Sequence, residues 1–312
     1  MSPGIDISII IPAYNEESRL RAGFDRLRPT LDVLDPQRLE VIVIDDGSND
    51  KTMLHAHEVY GHLANTQFIQ QPSNLGKGAA IKLGIAAARG EHLITADADM
   101  AIDPRHFPAF DVALGSSDVV PGSRAVNGRI RYDSLLRTYA GAAFNVIVRH
   151  YTKTEIRDTQ CGCKGFRRGP ARLLALLAMV DRFAFDAEML YLAHRLGLRV
   201  EPLTVDWEDI KGSSVRVAHD SLEMLRDIRG LSRTAYENPV VVLERDVQGQ
   251  SIVAPAREAR LSGLVLARGP VDTLLVLPRD GSLGGLGVAS VMGAQLRTAR
   301  LEELEQRTYE AV

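Results

Sequence analysis

Cysteine is almost missing from this chain: 312 residues carry two, Cys161 and Cys163, in one Cys-Gly-Cys. Thiols that close cannot staple a fold, and alone they cannot complete a zinc site, so they read as reduced cytosolic thiols. Long apolar runs are missing as well. No window approaches the ~18 consecutive apolar residues of a spanning helix. The opening MSPGIDISIIIPAYNEE has neither a basic n-region nor a small-residue cleavage site, and reads as a buried strand, not a signal peptide. Excess charge of one sign is also missing. A net charge of −3 gives no general basic face, which argues against nucleic acid as a partner. What is present, 45% hydrophobic and 25% charged residues, is globular composition. The length suits one large α/β domain with extra elements, or two domains.

Apolar β-branched runs recur between helical stripes. Residues 7–12 (ISIIIP) and 39–44 (LEVIVI) fit strands buried on both faces of a parallel sheet. Residues 66–70, 92–95 and 118–121 add further strands. Between them, Leu20, Phe24, Leu27 and Leu31 form one helical stripe. Another helix starts near Lys51, with Ser48 or Asn49 as its cap, and others follow Gly78 and Pro104. This β-α alternation predicts a mostly parallel sheet with helices on both faces. Beyond it the spacing predicts an apolar helix over 134–151, helices from Pro170 and over 187–196 with Asp186 as N-cap, and a helix over 219–231. Past residue 236 the character changes. Short β-like runs at 240–243, 251–254, 263–267 and 273–277, with a helix over 301–309, read as a β-rich appendage or an unstructured tail. The expected domains are 1–236 and a C-terminal extension, 237–312.

Candidate chemistry gathers just after the strands, where an open α/β sheet has its ligand crevice. Asp97 and Asp99, in HLITADADM, stand at i and i+2 at the C-terminal end of a strand and so present two carboxylates on one side. Two hard oxygen donors suit Mg²⁺ or Mn²⁺ that takes its other ligands from a substrate phosphate. Asp45 and Asp46 can accept from a base N–H or a ribose hydroxyl. Lys77, in Asn-Leu-Gly-Lys-Gly, can meet a phosphate, although the spacing is not that of a Walker loop. Arg124, Arg129, Arg131 and Arg137 concentrate positive charge before the apolar helix, a combination that fits an anionic acceptor at a lipid surface. Each motif also has a plain reading, as a solvated strand end, a helix cap or a basic rim.

In order along the chain stand Pro-Ala-Tyr-Asn-Glu (12–16), Asp-Asp-Gly-Ser (45–48), Asn-x-Gly-Lys-Gly (74–78), Asp-Ala-Asp (97–99), Gly-Ser-Arg (122–124), Asp-Thr-Gln-Cys-Gly (158–162), Phe-Asp-x-Glu (185–188) and the Trp207 segment. The ordered set resembles family 2 glycosyltransferases of the polyprenyl-phosphate type, nearest their dolichyl-phosphate β-glucosyltransferases, over about residues 5–235. The resemblance implies a GT-A fold: a Rossmann-like, mostly parallel sheet with flanking helices, here followed by a small C-terminal appendage. It implies a nucleotide-sugar donor, a divalent cation and a lipid-phosphate acceptor. Pro12, Tyr14, Glu16 and Asp46 would line the nucleoside pocket. Lys77 and Asp97 would contact the donor, and Asp99 the metal. Arg124, Arg137 and Arg131 would hold the acceptor phosphate. Asp158, Gln160, Asp186 and Glu188 would frame the sugar and reaction centre. The chain departs from the family in having Cys163 where Phe is usual, Phe183 where Trp is usual, and no N-terminal membrane anchor.

The implied reaction is inverting transfer of a hexose, glucose from UDP-glucose, to a polyprenyl phosphate. GDP-mannose as donor, or a glycerate or glycan as soluble acceptor, is the alternative. A cytoplasmic enzyme bound peripherally at the inner face of the membrane follows from such an acceptor. The sequence leaves oligomeric state open.

Overall fold

The structure, a computed structural model, describes residues 4–126, 129–130, 148, 156, 158–195, 198–208, 224 and 227, and in the C-terminal part 240–242, 244–245, 251–252, 273–276, 287–292 and 295–300. The chain divides into two compact units: Met1–His194 with Leu198–Ser232, and Arg195–Gly197 with Arg233–Val312.

The first unit is built on a seven-stranded sheet. Its strands are β1 (Ile7–Ala13), β2 (Leu39–Asp45), β3 (Thr66–Gln70), β4 (His92–Thr95), β5 (Val119–Ser123), β8 (Lys164–Arg167) and β9 (Leu203–Thr204), in the spatial order β3-β2-β1-β4-β8-β5-β9. β6 (Ala125–Val126) and β7 (Arg129–Ile130) form a separate antiparallel pair. β1 pairs in parallel with β2, Ile9 opposite Val41, and with β4, Ile9 opposite Ile94. All seven residues of β2 are buried, as the unbroken apolar run requires of a central strand covered on both faces.

Alternate side chains of β1 and β2 serve opposite layers. Ile9, Ile11, Val41 and Val43 join one core with α1 (Leu20–Leu31) and α2 (Thr52–Tyr60). The predicted stripe Leu20, Phe24, Leu27 and Leu31 is buried there, each side chain worth roughly 1.5–3 kcal/mol. On the other face α3 (Lys77–Ala87) lies so close that a Cβ on Gly84 would meet Ile10 Cγ2 at 2.4 Å. α4 (Phe107–Leu114), preceded by a 3₁₀ turn at Pro104–His106, buries Phe107, Phe110 and Leu114. α5 (Arg168–Leu177) and α6 (Phe185–Arg195) complete the described helices of this unit.

One strand breaks the expected parallel order. β8 lies between β4 and β5 and runs antiparallel to both, with Ile94 opposite Gly165 and Val120 opposite Gly165. Lys164, its first residue, lies at the carboxyl edge opposite Thr95 and Pro121, so the strand runs back from there. Gly165 suits the crowded middle position, where a Cβ would sit 3.0 Å from Phe110.

The second unit contains an antiparallel sheet ordered β10 (Val240–Val242), β13 (Thr273–Val276), β14 (Gly287–Met292) and β15 (Gln295–Arg300). β11 (Glu244–Arg245) pairs with β12 (Ser251–Ile252). β14 and β15 pair from Gly287↔Arg300 to Met292↔Gln295, a ladder the sequence reading passed over. The predicted run 263–267 and helix 301–309 lie outside the described residues, as do nearly all of helices 134–151 and 219–231.

Candidate active site

The loops after β1 and β2 are laced together at the carboxyl edge of the sheet. Asn15 N–H donates to Ser48 Oγ at 2.9 Å, Glu16 N–H to Thr52 Oγ1 at 2.7 Å, and Asn49 N–H to Asn15 Oδ1 at 2.9 Å. Asn15 holds a φ of +53°, a left-handed turn that Asn tolerates. These bonds place half-buried Tyr14 and Glu16 on one wall. The helix cap differs from expectation: Asp50 Oδ1 accepts from Thr52 N–H at 2.9 Å, while Ser48 is drawn to Asp45. Asp46 is buried and fully engaged. Its oxygens accept from Gln71 Nε2 at 2.7 Å and from the amides of Leu75 and Gly76 at 2.8 and 2.9 Å. It therefore shapes the loop leading to Lys77.

Asp97 and Asp99 do not sit in a strand. β4 ends at Thr95, and a turn closed by Met100 N–H donating to Asp97 C=O at 2.9 Å carries both acids. Met100 takes a φ of +48° to complete it. The turn sends the carboxylates to different partners. Asp97 Oδ1 pairs with Lys77 Nζ at 2.7 Å, while Asp99 Oδ2 meets Arg19 Nη1 at 3.3 Å.

From Asp97 a chain of alternating charge runs inward. Lys77 Nζ also reaches Asp186 Oδ2 at 3.7 Å, and Asp186 Oδ1 accepts from Lys164 Nζ at 2.6 Å. Lys164, only 1% exposed, donates besides to the Cys161 carbonyl. Asp186 is thus a link in this chain and not the N-cap of α6; at the first turn its charge also suits the helix dipole. Lys77 stands at the start of α3, where the dipole disfavours a cation, and its two acids offset that. Burial alone would lower Lys77, but Asp97 and Asp186 hold it above the usual lysine range. Burial would raise Asp97, yet Lys77, with Lys164 and Arg124 behind it, keeps it below the usual carboxylate range.

Beside this chain lies the Arg124–Asp158 pair. Fully buried Asp158 accepts from Arg124 Nε and Nη2, both at 2.8 Å, and from its backbone N–H at 2.9 Å. The bidentate fork fixes the guanidinium, whose carbon lies 5.6 Å from the Trp207 ring centre. Burial would raise Asp158, but the Arg124 bonds hold it below its ordinary range. Gln160 follows at the next turn, half-buried. Glu188 is buried, and its oxygens accept from the Met179 and Val180 amides at 2.9 and 2.8 Å, which holds the loop before α6. Pro12 keeps its place at the end of β1, opposite Ile44. Arg131 and Arg137 lie outside the described residues. Burial pushes the Cys161 thiol up to about 11 and Cys163 well above its ordinary value, so both stay protonated.

The donor set fits a divalent cation completed by substrate. Among the described residues no three His, Cys, Asp or Glu side chains form a cage. Mg²⁺, however, commonly takes one or two carboxylates and finishes its shell with phosphate oxygens and water. Asp99 offers that: burial and then Asp97 raise its pKa, and it already draws a guanidinium.

Arg19, Arg26 and Lys164 escaped the sequence reading. The signal for the first two was a second periodicity in α1: Arg19, Gly23 and Arg26 stand at i, i+4 and i+7, one helical face. That face abuts the acidic turn, where a Cβ on Gly23 would fall 2.0 Å from the Ala98 carbonyl and Arg26 Nε donates to Met100 C=O at 3.0 Å.

Residues 8–174 match the model of glycosyl transferase family 2. A dolichyl-phosphate beta-glucosyltransferase of Drosophila melanogaster is 36% identical over 243 residues, 73% of this chain and 74% of that protein. The Homo sapiens protein of the same name is 35% identical over 246 residues, 73% of this chain and 75% of its own length. Among solved structures, glucosyl-3-phosphoglycerate synthase from Mycobacterium tuberculosis, in complex with Mn²⁺, UDP-glucose and phosphoglyceric acid, superposes with a TM-score of 0.55. The match covers 83% of this chain and 90% of that one at 18% identity, and so speaks to the fold alone, which is GT-A.

Proposed function

The chain belongs to glycosyl transferase family 2, and on that footing we propose that it transfers glucose from UDP-glucose to a polyprenyl phosphate with inversion. The observation that carries the reading is one of placement. Asp99, the Lys77–Asp97 pair and the Arg124–Asp158 fork converge at the carboxyl edge of the sheet. Relatives named dolichyl-phosphate beta-glucosyltransferase match over 73% of the chain.

The acceptor phosphate oxygen attacks the anomeric carbon from the face opposite the nucleoside diphosphate. The carbon–oxygen bond to the diphosphate breaks, and its electron pair leaves on the diphosphate oxygen. A phosphate monoester has its second pKa near ~6 and is mostly dianionic at neutral pH. No side chain need take a proton from it, so the task is positioning and charge balance. Asp99 would hold the Mg²⁺ or Mn²⁺ that, when bound, neutralises the leaving diphosphate. Lys77, kept charged by Asp97 and Asp186, meets the donor. Arg124, locked by Asp158 over Trp207, faces the incoming phosphate, and Arg131 and Arg137 are given the same role by the family resemblance. The nucleoside lies between Pro12, Tyr14 and Glu16, beside the loop that Asp46 holds. Gln160 borders the sugar. The enzyme works peripherally at the cytoplasmic face of the membrane, and its catalytic domain is residues 1–236.

Purified protein, polyprenyl phosphate and a panel of labelled nucleotide sugars, with and without Mg²⁺, form the test. UDP-glucose should label the lipid only with the cation present. Asp99→Asn should lower kcat/KM by ~10²–10³, the scale of several kcal/mol of lost charge stabilisation. Wild-type turnover by that variant in metal-depleted buffer, or transfer from no donor at all, refutes the reading.

A further inference from the structure

Arg19 joins two acids of the candidate site from the start of α1. It sits at the N-cap of α1, where the helix dipole disfavours a cation. Its side chain is only 13% exposed, and both its ionic partners are acids of the candidate site. The two contacts are unequal. Nη2 closes tightly on Glu16 Oε1, while Nη1 reaches Asp99 Oδ2 at 3.3 Å, a long bond for a charged pair. Glu16 Oε2 is buried and has no hydrogen-bond partner among the described residues. The guanidinium therefore has a second seat prepared: a turn of its plane would put both nitrogens on Glu16 as a bidentate fork and release Asp99. The backbone of α1 need not move. Gly23 and Arg26 hold this helix against the turn bearing Asp99, so the exchange is confined to one side chain.

We propose that Arg19 is a charge gate on Asp99, holding the carboxylate until a divalent cation arrives with the donor diphosphate, then swinging onto Glu16. This rests on the assignment of Asp99 as cation ligand. Its consequence is coupling. A bare cation must displace a resident positive charge, whereas a cation carried by a diphosphate brings further ligands and less net charge. Cation and nucleotide then bind as a pair, and Arg19 sets how strictly.

The test reads binding, not turnover. Mn²⁺ is titrated into the full-length protein and followed by its electron paramagnetic resonance signal, with and without UDP. Wild type should bind Mn²⁺ weakly alone and much more tightly with UDP. Arg19→Gln should bind Mn²⁺ alone about tenfold tighter or more, with the UDP enhancement shrunk by the same factor. Retained binding of Mn²⁺ with UDP shows that the variant is folded. Equal or weaker binding of Mn²⁺ alone by Arg19→Gln overturns the gate. Mn²⁺–UDP binding that survives Asp99→Asn is a separate result: it removes the cation from Asp99, and the gate falls with that assignment.

Discussion

Gly162 occupies a position where any side chain would strike the site. A Cβ there would lie 2.2 Å from Asp97 Oδ2 and 2.8 Å from its Cγ. Gly162→Ala must push the carboxylate off Lys77, and displacement by about 1 Å at a reacting centre can cost ~10²-fold. We expect kcat/KM with UDP-glucose to fall by that order, with the thermal midpoint lowered by only a few degrees, since the clash is with a side chain at the rim. Steady-state kinetics beside a melting curve checks both. At this scale the sequence was informative for acids that close an apolar run, Asp97 and Asp99, whereas Asp186 read as a helix N-cap and entered the site only through the resemblance. Arg19 and Lys164 were illegible. An arginine at a helix start passes for a solvated face, and a lysine beside Cys-Gly-Cys passes for a loop residue. Only the fold shows that Lys164 is buried and bonded to Asp186.

Elements carry the next level. Replacing a helix-interior glycine by alanine usually gains up to ~1 kcal/mol in propensity. In α1 the sign should reverse, because a methyl at Gly23 would fall 2.0 Å from the Ala98 carbonyl. Gly23→Ala is expected to lower stability by about 1–3 kcal/mol, as overpacking does, and to weaken Mn²⁺–UDP binding together with it. Chemical denaturation and a binding titration would show both losses. On β2, Glu40 is fully buried and fastens three strands and a loop: it accepts from Ser8 Oγ at 2.6 Å, Gln67 Nε2 at 2.8 Å and Arg89 Nε at 2.6 Å. Burial would raise its pKa, but these bonds pull it below the ordinary value of 4.5. A depressed folded value means the stabilisation is complete above pH 4.5 and drains as pH falls through the folded value. Glu40→Gln should therefore cost stability at pH 7 and flatten the acid limb of the stability profile, read by urea midpoints between pH 3 and 7. β1 and β2 were legible from their long apolar runs, and β3 to β5 from short stretches between helical stripes. The direction of β8 was not, because four residues, KGFR, carry no sign of which way they enter a sheet.

At the scale of the whole molecule, no helix among the described residues is long and apolar enough to cross a membrane. The proposed acceptor is a lipid phosphate, which calls for a basic surface that meets the membrane. We expect the protein to float with liposomes containing anionic lipid, and the triple change of Arg129, Arg131 and Arg137 to Ala to release most of it, each basic residue near the surface being worth ~1 kcal/mol. Flotation unchanged by that substitution would rule out this mode of attachment. The order of motifs along the chain conveyed the family and the GT-A architecture. It conveyed little of the second unit, where β14 and β15 pair in a sequence whose small residues, Gly287, Ala289 and Ser290, blur the alternation.

β8 finally bears on how the protein is made. Thr95 and Lys164, which it brings together, are 69 residues apart. On the ribosome, β1 to β4 emerge and pair first, leaving one side of β4 without its neighbour. Until β8 arrives, that strand edge is bare and Asp97 waits for the Gly162 backbone and Lys164 that complete its surroundings. The edge that completes the sheet is therefore also the one that completes the surroundings of Asp97.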